Sequence, residues 1–215
     1  MIKAFIFDMD GTIVDNMAVH TAVWLEILAD LGTSMTAAEF QASVAGKTNL
    51  ETMRQLVDPQ ITAADAERIS LMKEDRYRQR YAPLMQPMPG LLSLLKQARQ
   101  AGIKLAVATA AGTDNINFIM GGLHLWQQFD AVVGADDVER GKPFPDLFLL
   151  AAERLGVPPA NCLVFEDALT GIEAARRAGM SVIAMTTAHT SSEVAHLPKV
   201  QQAIPDFTHV NLADF

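Results

Sequence analysis

Polar side chains that can do chemistry follow four apolar runs of this 215-residue chain. Asp8 and Asp10 are separated by one residue, so one carboxylate can act as a nucleophile while the other exchanges protons. Glu166 and Asp167 offer the hard oxygen ligands that Mg²⁺ prefers. Any one of these residues alone is as often a helix cap or a turn residue. Their joint occurrence predicts one catalytic site, assembled from Asp8, Asp10, Thr109, Lys142, Glu166 and Asp167.

The elements that would position this site are buried β-strands. The apolar runs cover residues 3–7, 104–109, 161–167 and 181–185, and a weaker run covers 129–133. Segments with helical spacing lie between them, for example residues 91–101 before Gly102, because glycine just past a periodic segment ends a helix. This alternation predicts an α/β fold with a doubly wound parallel sheet, in which ligands bind at the carboxyl ends of the strands.

Residues 15–87 interrupt the alternation. They contain amphipathic helical segments and no convincing strand; the segments are 17–31, 36–43, 50–57 and 62–81. Prolines within residues 86–90 disfavour helix and stiffen a connector. We therefore expect an α/β core domain of residues 1–14 and 88–215 and an inserted all-helical cap domain of residues 15–87. Residues 203–207 are expected to add an edge strand to the core.

Composition argues against several classes of function. The formal charge of −8 disfavours nucleic-acid binding, which needs a basic surface. Cys162 is the only cysteine, so neither an intramolecular disulfide nor a cysteine-cluster metal site can form. Asp8 and Asp10 interrupt the first apolar run too early for a signal peptide or a membrane span. We expect a cytoplasmic monomer that acts on a small molecule and has neither nucleic acid nor membrane as a partner.

Four ordered motifs resemble those of the haloacid dehalogenase superfamily. They are Phe7-Asp-Met-Asp-Gly-Thr12, Val107-Ala-Thr109, Gly141-Lys-Pro-Phe-Pro-Asp146 and Phe165-Glu-Asp-Ala168. The resemblance spans essentially the whole chain and implies a Rossmann-like core and Mg²⁺-dependent phosphoryl transfer. It implies that Asp8 attacks phosphorus and that Asp10 is the acid/base. Mg²⁺ would bind Asp8, Asp167 and the main-chain carbonyl of Asp10, while Glu166 would orient a metal-bound water.

The same resemblance implies a set of groups that bind the transferred phosphate. The amides of Met9 and Asp10, the hydroxyl of Thr109 and the amide of Ala110 would donate to its oxygens. Lys142 would shield Asp8 from the phosphate charge. A carboxylate can attack a phosphate only when such groups offset their mutual repulsion. The expected catalytic residues are Asp8, Asp10, Thr109 and Lys142.

Asp10 indicates the reaction class, because the dehalogenase and phosphonate-cleaving branches of the superfamily lack this second aspartate. Among the phosphatases and phosphomutases, residues 15–24 resemble the beta-phosphoglucomutase-like subgroup. That resemblance implies substrate-binding residues in the cap, namely His20, Trp24, Gly46, Lys47, Thr48, Asn49 and Lys73.

Two departures from the subgroup favour hydrolysis over phosphoryl transfer within the substrate. Asn49 stands where beta-phosphoglucomutases carry an arginine that grips a second phosphate, and Asn16 stands where they usually have threonine. A mutase must hold a bisphosphate intermediate while that intermediate reorients in the site. Loss of the charged clamp therefore favours a phosphatase. The expected substrate is a small phosphorylated metabolite such as a sugar phosphate. A sugar phosphomutase is the alternative, and His20 and Lys73 support it.

Overall fold

The computed structural model of this chain describes residues 1–44 and 49–214. The chain folds into two compact units. The α/β unit comprises Met1–Asp15 and Met85–Phe215, and the helical unit comprises Asn16–Leu84. The roles of core and cap that the sequence assigns to these segments stay predictions. No helix among the described residues is long and apolar enough to cross a membrane.

A six-stranded sheet organises the described part of the α/β unit. Its strands are β1 (Ala4–Phe7), β2 (Lys104–Ala108), β3 (Ala131–Val133), β4 (Cys162–Glu166), β5 (Ser181–Met185) and β6 (Val200–Ile204). They lie in the order β3-β2-β1-β4-β5-β6, and every neighbouring pair is parallel. The surrounding helices are α5 (Leu91–Gln100), α6 (Thr113–Gly122), α7 (Asp146–Leu155), α8 (Leu169–Arg177) and α9 (Ser191–Val194). This arrangement confirms the predicted α/β fold.

The register of β1 decides where the site can form. β1 lies between β2 and β4, and all four of its residues are fully buried, as expected for a strand covered on both faces. Phe7, its last residue, is paired with Val107 on one side and with Phe165 on the other. Residues that follow these three positions therefore emerge together at the carboxyl edge of the sheet.

Alternation along β1 builds a different core on each face of the sheet. Ala4 and Ile6 belong to a buried hydrophobic cluster that includes residues of α7 and α8. Phe7 points to the opposite face, where its ring stacks on Phe165 at a centroid distance of 4.7 Å. Phe207 meets both rings edge-on, with centroid distances of 5.8 Å to Phe7 and 5.4 Å to Phe165. These rings hold the two strands next to the candidate site in fixed register.

The edge strand of the C-terminal segment lies earlier than the sequence predicts. β6 covers Val200–Ile204, whereas the strand was expected at 203–207. Proline has no N–H to continue the ladder, so Pro205 ends the strand. Phe207 then turns into the aromatic cluster, and its own N–H donates to the carbonyl of Pro89 at 2.9 Å. Phe207, beyond β6, is thus part of the core.

The helical unit consists, within its described residues, of α1 (Met17–Asp30), α2 (Ala37–Val44), α3 (Asn49–Leu56) and α4 (Ala63–Tyr81). All four helices lie where the amphipathic segments predict them. α1 packs against α2 and α4, and α3 packs against α4. Thr62 caps α4: its hydroxyl accepts from the Asp65 N–H at 3.1 Å and donates to the Asp65 carboxylate at 2.8 Å.

Candidate active site

The candidate site of the α/β unit is built at the carboxyl ends of the three central strands. Asp8 follows β1, Glu166 ends β4, and Asp167 comes next in the chain. The Asp8 N–H donates to the Phe165 carbonyl at 2.9 Å, which continues the ladder by one residue and fixes the backbone of Asp8. All three acidic residues are buried, with 6% of Asp8, 1% of Glu166 and 3% of Asp167 exposed. Buried carboxylates need partners, so their contacts define the site.

Lys142 is the cation of this cluster. Its ammonium group donates to Oδ1 of Asp8 and to Oε2 of Glu166, each at 2.6 Å. The second oxygen of Glu166 accepts from the Ala168 N–H at 3.1 Å, so both of its carboxylate oxygens are engaged. Glu166 is therefore held in place by the protein, and it in turn holds Lys142 against Asp8.

Burial and crowding shift the proton affinities of the cluster. Desolvation, followed by repulsion from Glu166, raises the pKa of Asp8 to about 8, although Lys142 acts in the opposite direction. Desolvation and the charges of Glu166 and Asp8 raise the pKa of Asp167 to about 9. Burial alone would lower the pKa of Lys142, but Asp8 and Glu166 outweigh it and raise that pKa above its ordinary value. Lys142 therefore stays charged, but its single positive charge is not enough to balance the negative charge of the ionised carboxylates.

The carboxylates have the composition of a divalent-cation site. One oxygen from each of Asp8, Glu166 and Asp167 lies within 4.8 Å of the others. Three carboxylates against the single charge of Lys142 leave two negative charges uncompensated when all are ionised. An all-oxygen donor set with this excess fits a hard divalent ion such as Mg²⁺. Asp10, the remaining predicted ligand, was assigned through its main-chain carbonyl and so lies outside a cluster of side chains.

The loop after Asp8 is a tight turn. The Met9 carbonyl accepts from the N–H groups of Ile13 at 2.9 Å and Val14 at 3.2 Å. Gly11 has a φ of +74°, and a Cβ built there would lie 2.1 Å from Oδ2 of Asp167. Only glycine therefore fits between the turn and the acidic cluster. Met9 is buried and Asp10 is half-buried in this loop.

Thr109 and Ala110 follow β2, the strand beside β1. The Thr109 hydroxyl accepts from the Ala111 N–H at 3.0 Å and is almost fully buried. A hydroxyl that accepts a hydrogen bond can still donate its own proton, as phosphate binding would require. Ala110 is exposed, in keeping with a backbone donor at the edge of the sheet.

Sequence reasoning missed the role of Gly171 in this site. A Cβ on this residue of α8 would lie 2.1 Å from the Glu166 carboxyl carbon. Helix α8 can therefore pass close to the acidic cluster only because this residue has no side chain. A glycine inside a helical pattern, five residues after Glu166, was the available signal.

Three of the predicted cap residues meet inside the helical unit. The Lys73 ammonium lies 2.6 Å from Nδ1 of His20 and 5.7 Å from the centre of the Trp24 ring. Only 4% of Lys73 and 8% of Trp24 are exposed. The fourth member of the cluster, Tyr77, was not predicted: its ring stacks on His20 at 3.7 Å. The i, i+4 spacing of Lys73 and Tyr77 on α4 could have indicated it.

Part of the predicted cap set cannot be placed. Gly46, Lys47 and Thr48 lie outside the described residues, and so does the side chain of Asn49. Asn16, which the sequence singled out as a departure, is fully buried in the helical unit. Its amide donates to the Tyr77 hydroxyl at 2.6 Å. This hydrogen bond gives Asn16 a structural role. Threonine has no side-chain amide and could not donate the same bond.

Comparison with known proteins gives consistent relationships. A family model described as a haloacid dehalogenase-like hydrolase matches residues 2–179. The chain is 36% identical over 180 residues to the fructose-1-phosphate phosphatase YqaB of Escherichia coli, covering 83% of this chain and 93% of that protein. A family IA, variant 3 hydrolase structure from Entamoeba histolytica matches with a TM-score of 0.92 at 28% identity, over 99% and 97% of the two chains. A beta-phosphoglucomutase structure from Clostridium difficile matches with a TM-score of 0.84 at 25% identity, over 100% and 95%.

Proposed function

The chain belongs to the haloacid dehalogenase-like hydrolase family and is a phosphatase, and from that membership we propose that it hydrolyses small sugar phosphates through a phosphate ester of Asp8. The observation that carries this proposal is the contact of the Lys142 ammonium with the Asp8 carboxylate, 2.6 Å long and buried. A buried carboxylate paired with a lysine at the edge of a parallel sheet is equipped to attack an anionic phosphate.

Asp8 is the nucleophile of the first step. An oxygen of its carboxylate attacks phosphorus, the new bond to Asp8 forms, and the bond from phosphorus to the ester oxygen breaks. Asp10 gives its proton to the leaving oxygen, so that the sugar departs as an alcohol. Lys142 and the Thr109 hydroxyl bind the phosphate oxygens, which lowers the repulsion that Asp8 must overcome.

Asp10 acts again in the second step. Now ionised, it takes a proton from a water molecule whose oxygen attacks phosphorus, and the bond to Asp8 breaks to release inorganic phosphate. The protons balance over the two steps, because the one lost to the alcohol is regained from water. Asp8 and Asp10 thus divide the roles of nucleophile and acid/base.

Asp8, Asp167 and the main-chain carbonyl of Asp10 would hold Mg²⁺, since the acidic cluster has an excess of negative charge and oxygen donors only. When bound, Mg²⁺ supplies positive charge to the phosphate oxygens and to the attacking carboxylate. Glu166 is proposed to act indirectly, because Lys142 and the Ala168 N–H already occupy its oxygens.

The substrate class rests on similarity and on the helical unit. YqaB is named as a fructose-1-phosphate phosphatase, which supports a phosphorylated sugar. We propose that His20, Trp24 and Lys73 contribute to recognising it, because an ammonium, an imidazole and an indole ring gathered together suit a polar sugar with an anionic group. The same role is proposed for residues 46–49.

A sugar phosphomutase is the second candidate. The structural similarity to a beta-phosphoglucomutase and the contact between Lys73 and His20 favour it. The missing arginine at position 49 favours hydrolysis, because the charged clamp on a second phosphate is absent from that position.

The two candidates make different products. We would measure inorganic phosphate released from a panel of sugar phosphates, with and without Mg²⁺, for the wild type and Asp8→Asn. The same reactions would assay conversion of beta-glucose 1-phosphate to glucose 6-phosphate. Release of phosphate that needs both Mg²⁺ and Asp8 would support the phosphatase. Isomerised sugar phosphate without free phosphate would support the mutase instead.

A further inference from the structure

Thr187 contacts the catalytic loop from a distant part of the chain. This residue follows β5, and its hydroxyl donates to the main-chain carbonyl of Gly11 at 2.6 Å across 176 residues of sequence. Thr187 is half-buried. It also lies beyond residues 2–179, the part that the family model matches, and neither motif nor spacing singled it out.

The segment that carries Thr187 is itself anchored to the sheet. The N–H of its neighbour Thr186 donates to the carbonyl of Ile204, the last residue of β6, at 2.8 Å. The hydroxyl of Thr187 therefore projects from a fixed backbone. A donor on a fixed support can hold its acceptor in one position, whereas a donor on a mobile loop cannot.

Gly11 adjoins the proposed acid/base Asp10 in the catalytic loop. Asp10 comes directly before Gly11, whose φ is +74°. The start of the turn is held by the Met9 carbonyl, which accepts from the N–H groups of Ile13 and Val14. The supported carbonyl belongs to the peptide that follows Gly11, and four backbone bonds separate its carbon from the Cα of Asp10, the acid/base. The φ and ψ of Gly11 join this peptide to the preceding one, so a shift of the Gly11 carbonyl that those angles do not absorb would move Asp10.

We propose that Thr187 is a positioning residue for Asp10: by holding the Gly11 carbonyl, it fixes the catalytic loop so that Asp10 can give its proton to the leaving oxygen. This inference rests on the proposed phosphatase function. Thr187 acts through the backbone of the loop, because the acceptor of its hydroxyl is the main-chain carbonyl of Gly11. Because proton transfer tolerates little misplacement, a small shift should be costly.

The leaving group distinguishes positioning from a general loss of structure. A sugar alkoxide is a poor leaving group and needs the proton of Asp10, whereas 4-nitrophenolate is a good leaving group and departs without that proton. The ratio kcat/KM reports the steps up to the first irreversible one, here departure of the leaving group from phosphorus. A displaced Asp10 should therefore lower kcat/KM for a sugar phosphate and spare it for 4-nitrophenyl phosphate.

The test compares Thr187→Val, which keeps the shape and removes the donor, with Thr187→Ser, which keeps the donor. The substrates are fructose 1-phosphate and 4-nitrophenyl phosphate. We expect Thr187→Val to lose roughly tenfold to a hundredfold in kcat/KM on the sugar phosphate and less than about threefold on the aryl ester. Thr187→Ser should restore the sugar phosphate activity. Thr186→Val is the matched control, since Thr186 bonds to β6 through its backbone, and it should behave as the wild type.

Asp10→Asn provides the reference pattern for loss of the acid, and Thr187→Val should show the same selectivity more weakly. Equal losses on both substrates, or unchanged activity on the sugar phosphate, would overturn the inference while the phosphatase stands. A wild type without activity on any phosphate ester would remove the proposed function, and this inference with it. Thermal unfolding of each variant checks folding, and Thr187→Ala takes the place of Thr187→Val if the latter is unfolded at the assay temperature.

Discussion

The ammonium group of Lys142 lies 2.6 Å from Oδ1 of Asp8, and the same group lies 2.6 Å from Oε2 of Glu166. It therefore lies between two buried carboxylates and offsets part of the repulsion between them. Repulsion from Glu166 already raises the pKa of Asp8, and Lys142 limits that rise. The arrangement keeps Asp8 closer to the ionised form that its proposed role as the nucleophile requires.

Replacement of Lys142 by methionine should abolish most of the activity. Lys142→Met removes the counter-charge while keeping a similar apolar stem, and we expect kcat/KM for a sugar phosphate to fall by about a hundredfold to a thousandfold. Lys104→Met is the matched control, because the Lys104 ammonium donates to the Leu155 carbonyl from the exposed start of β2. Near-normal turnover by a folded Lys142→Met protein would contradict the role of this lysine.

The sheet and the acidic cluster could be predicted because their signals are local. Parallel strands buried on both faces are continuous apolar runs, and the residues that follow adjacent strands must meet at one edge. Those two facts bring Asp8 and Asp167 together without any knowledge of side-chain packing. The four helices of the inserted segment were predictable for a similar reason, since their amphipathic period is local.

The contacts that hold the site are distant in sequence and follow no period. Lys142 meets Asp8 across 134 residues, and Asn16 meets Tyr77 across 61. The sequence prediction put the edge strand at 203–207 because these residues carry an apolar pattern. Pro205 does not disturb that pattern, but its missing N–H ends the ladder. Phe207 has no local signal for its edge-on contact with Phe7 and Phe165.

Affinity for Mg²⁺ should weaken as the pH falls. Burial and neighbouring charges raise the pKa of Asp8 to about 8 and that of Asp167 to about 9, so below these values a cation must displace bound protons. The half-saturating Mg²⁺ concentration should rise up to roughly tenfold per pH unit for each proton displaced. Activity titrated with Mg²⁺ from about pH 6 to about pH 9 measures this slope, because that range runs from below both pKa values to the higher of them.

Asp167→Asn serves as the comparison for that titration. It removes one of the titrating groups, so any residual Mg²⁺ dependence should have a shallower pH slope.

The raised pKa values also mean that the metal-free folded protein binds protons more tightly than the unfolded chain. Its stability should therefore fall as the pH rises from the ordinary value of 3.8 towards about 9, and Mg²⁺ should raise the melting temperature most at the alkaline end. A Mg²⁺ requirement that does not change with pH would be inconsistent with these shifts.

Two glycines with nearly equal backbone angles allow a matched test of space at the site. Gly11 has φ of +74° and Gly102 has φ of +75°, but a Cβ meets Asp167 only at Gly11, since nothing lies within 4 Å of one at Gly102. Each alanine variant should lose about 1–2 kcal/mol of stability through backbone strain. Only Gly11→Ala should also lose activity, by about a hundredfold or more, because Asp167 must move. Similar kcat/KM values for the two variants would show that the close approach has no catalytic consequence.

The C-terminal segment should contribute strongly to the stability of the α/β unit, and Phe207 is the residue that tests this. Phe207 is 3% exposed, packs on Phe7 and Phe165, and lies so close to the linker that a Cβ at Gly90 would be 2.5 Å from its carbonyl carbon. Phe207→Ala leaves a cavity among these rings and should lower the free energy of unfolding by about 3–5 kcal/mol.

Urea denaturation measures this loss, with Trp126→Ala as the control for removing a large ring. Trp126 is 45% exposed, so Trp126→Ala should lower the free energy of unfolding by less than about half of the loss expected for Phe207→Ala. Phe207→Leu should recover part of the stability, because leucine refills much of the volume. Equal unfolding free energies for Phe207→Ala and the wild type would mean that the segment beyond β6 only covers the core. The expected loss would instead show that residue 207, which lies outside the matched region 2–179, stabilises β1 and β4 through Phe7 and Phe165, the neighbours of Asp8 and Glu166.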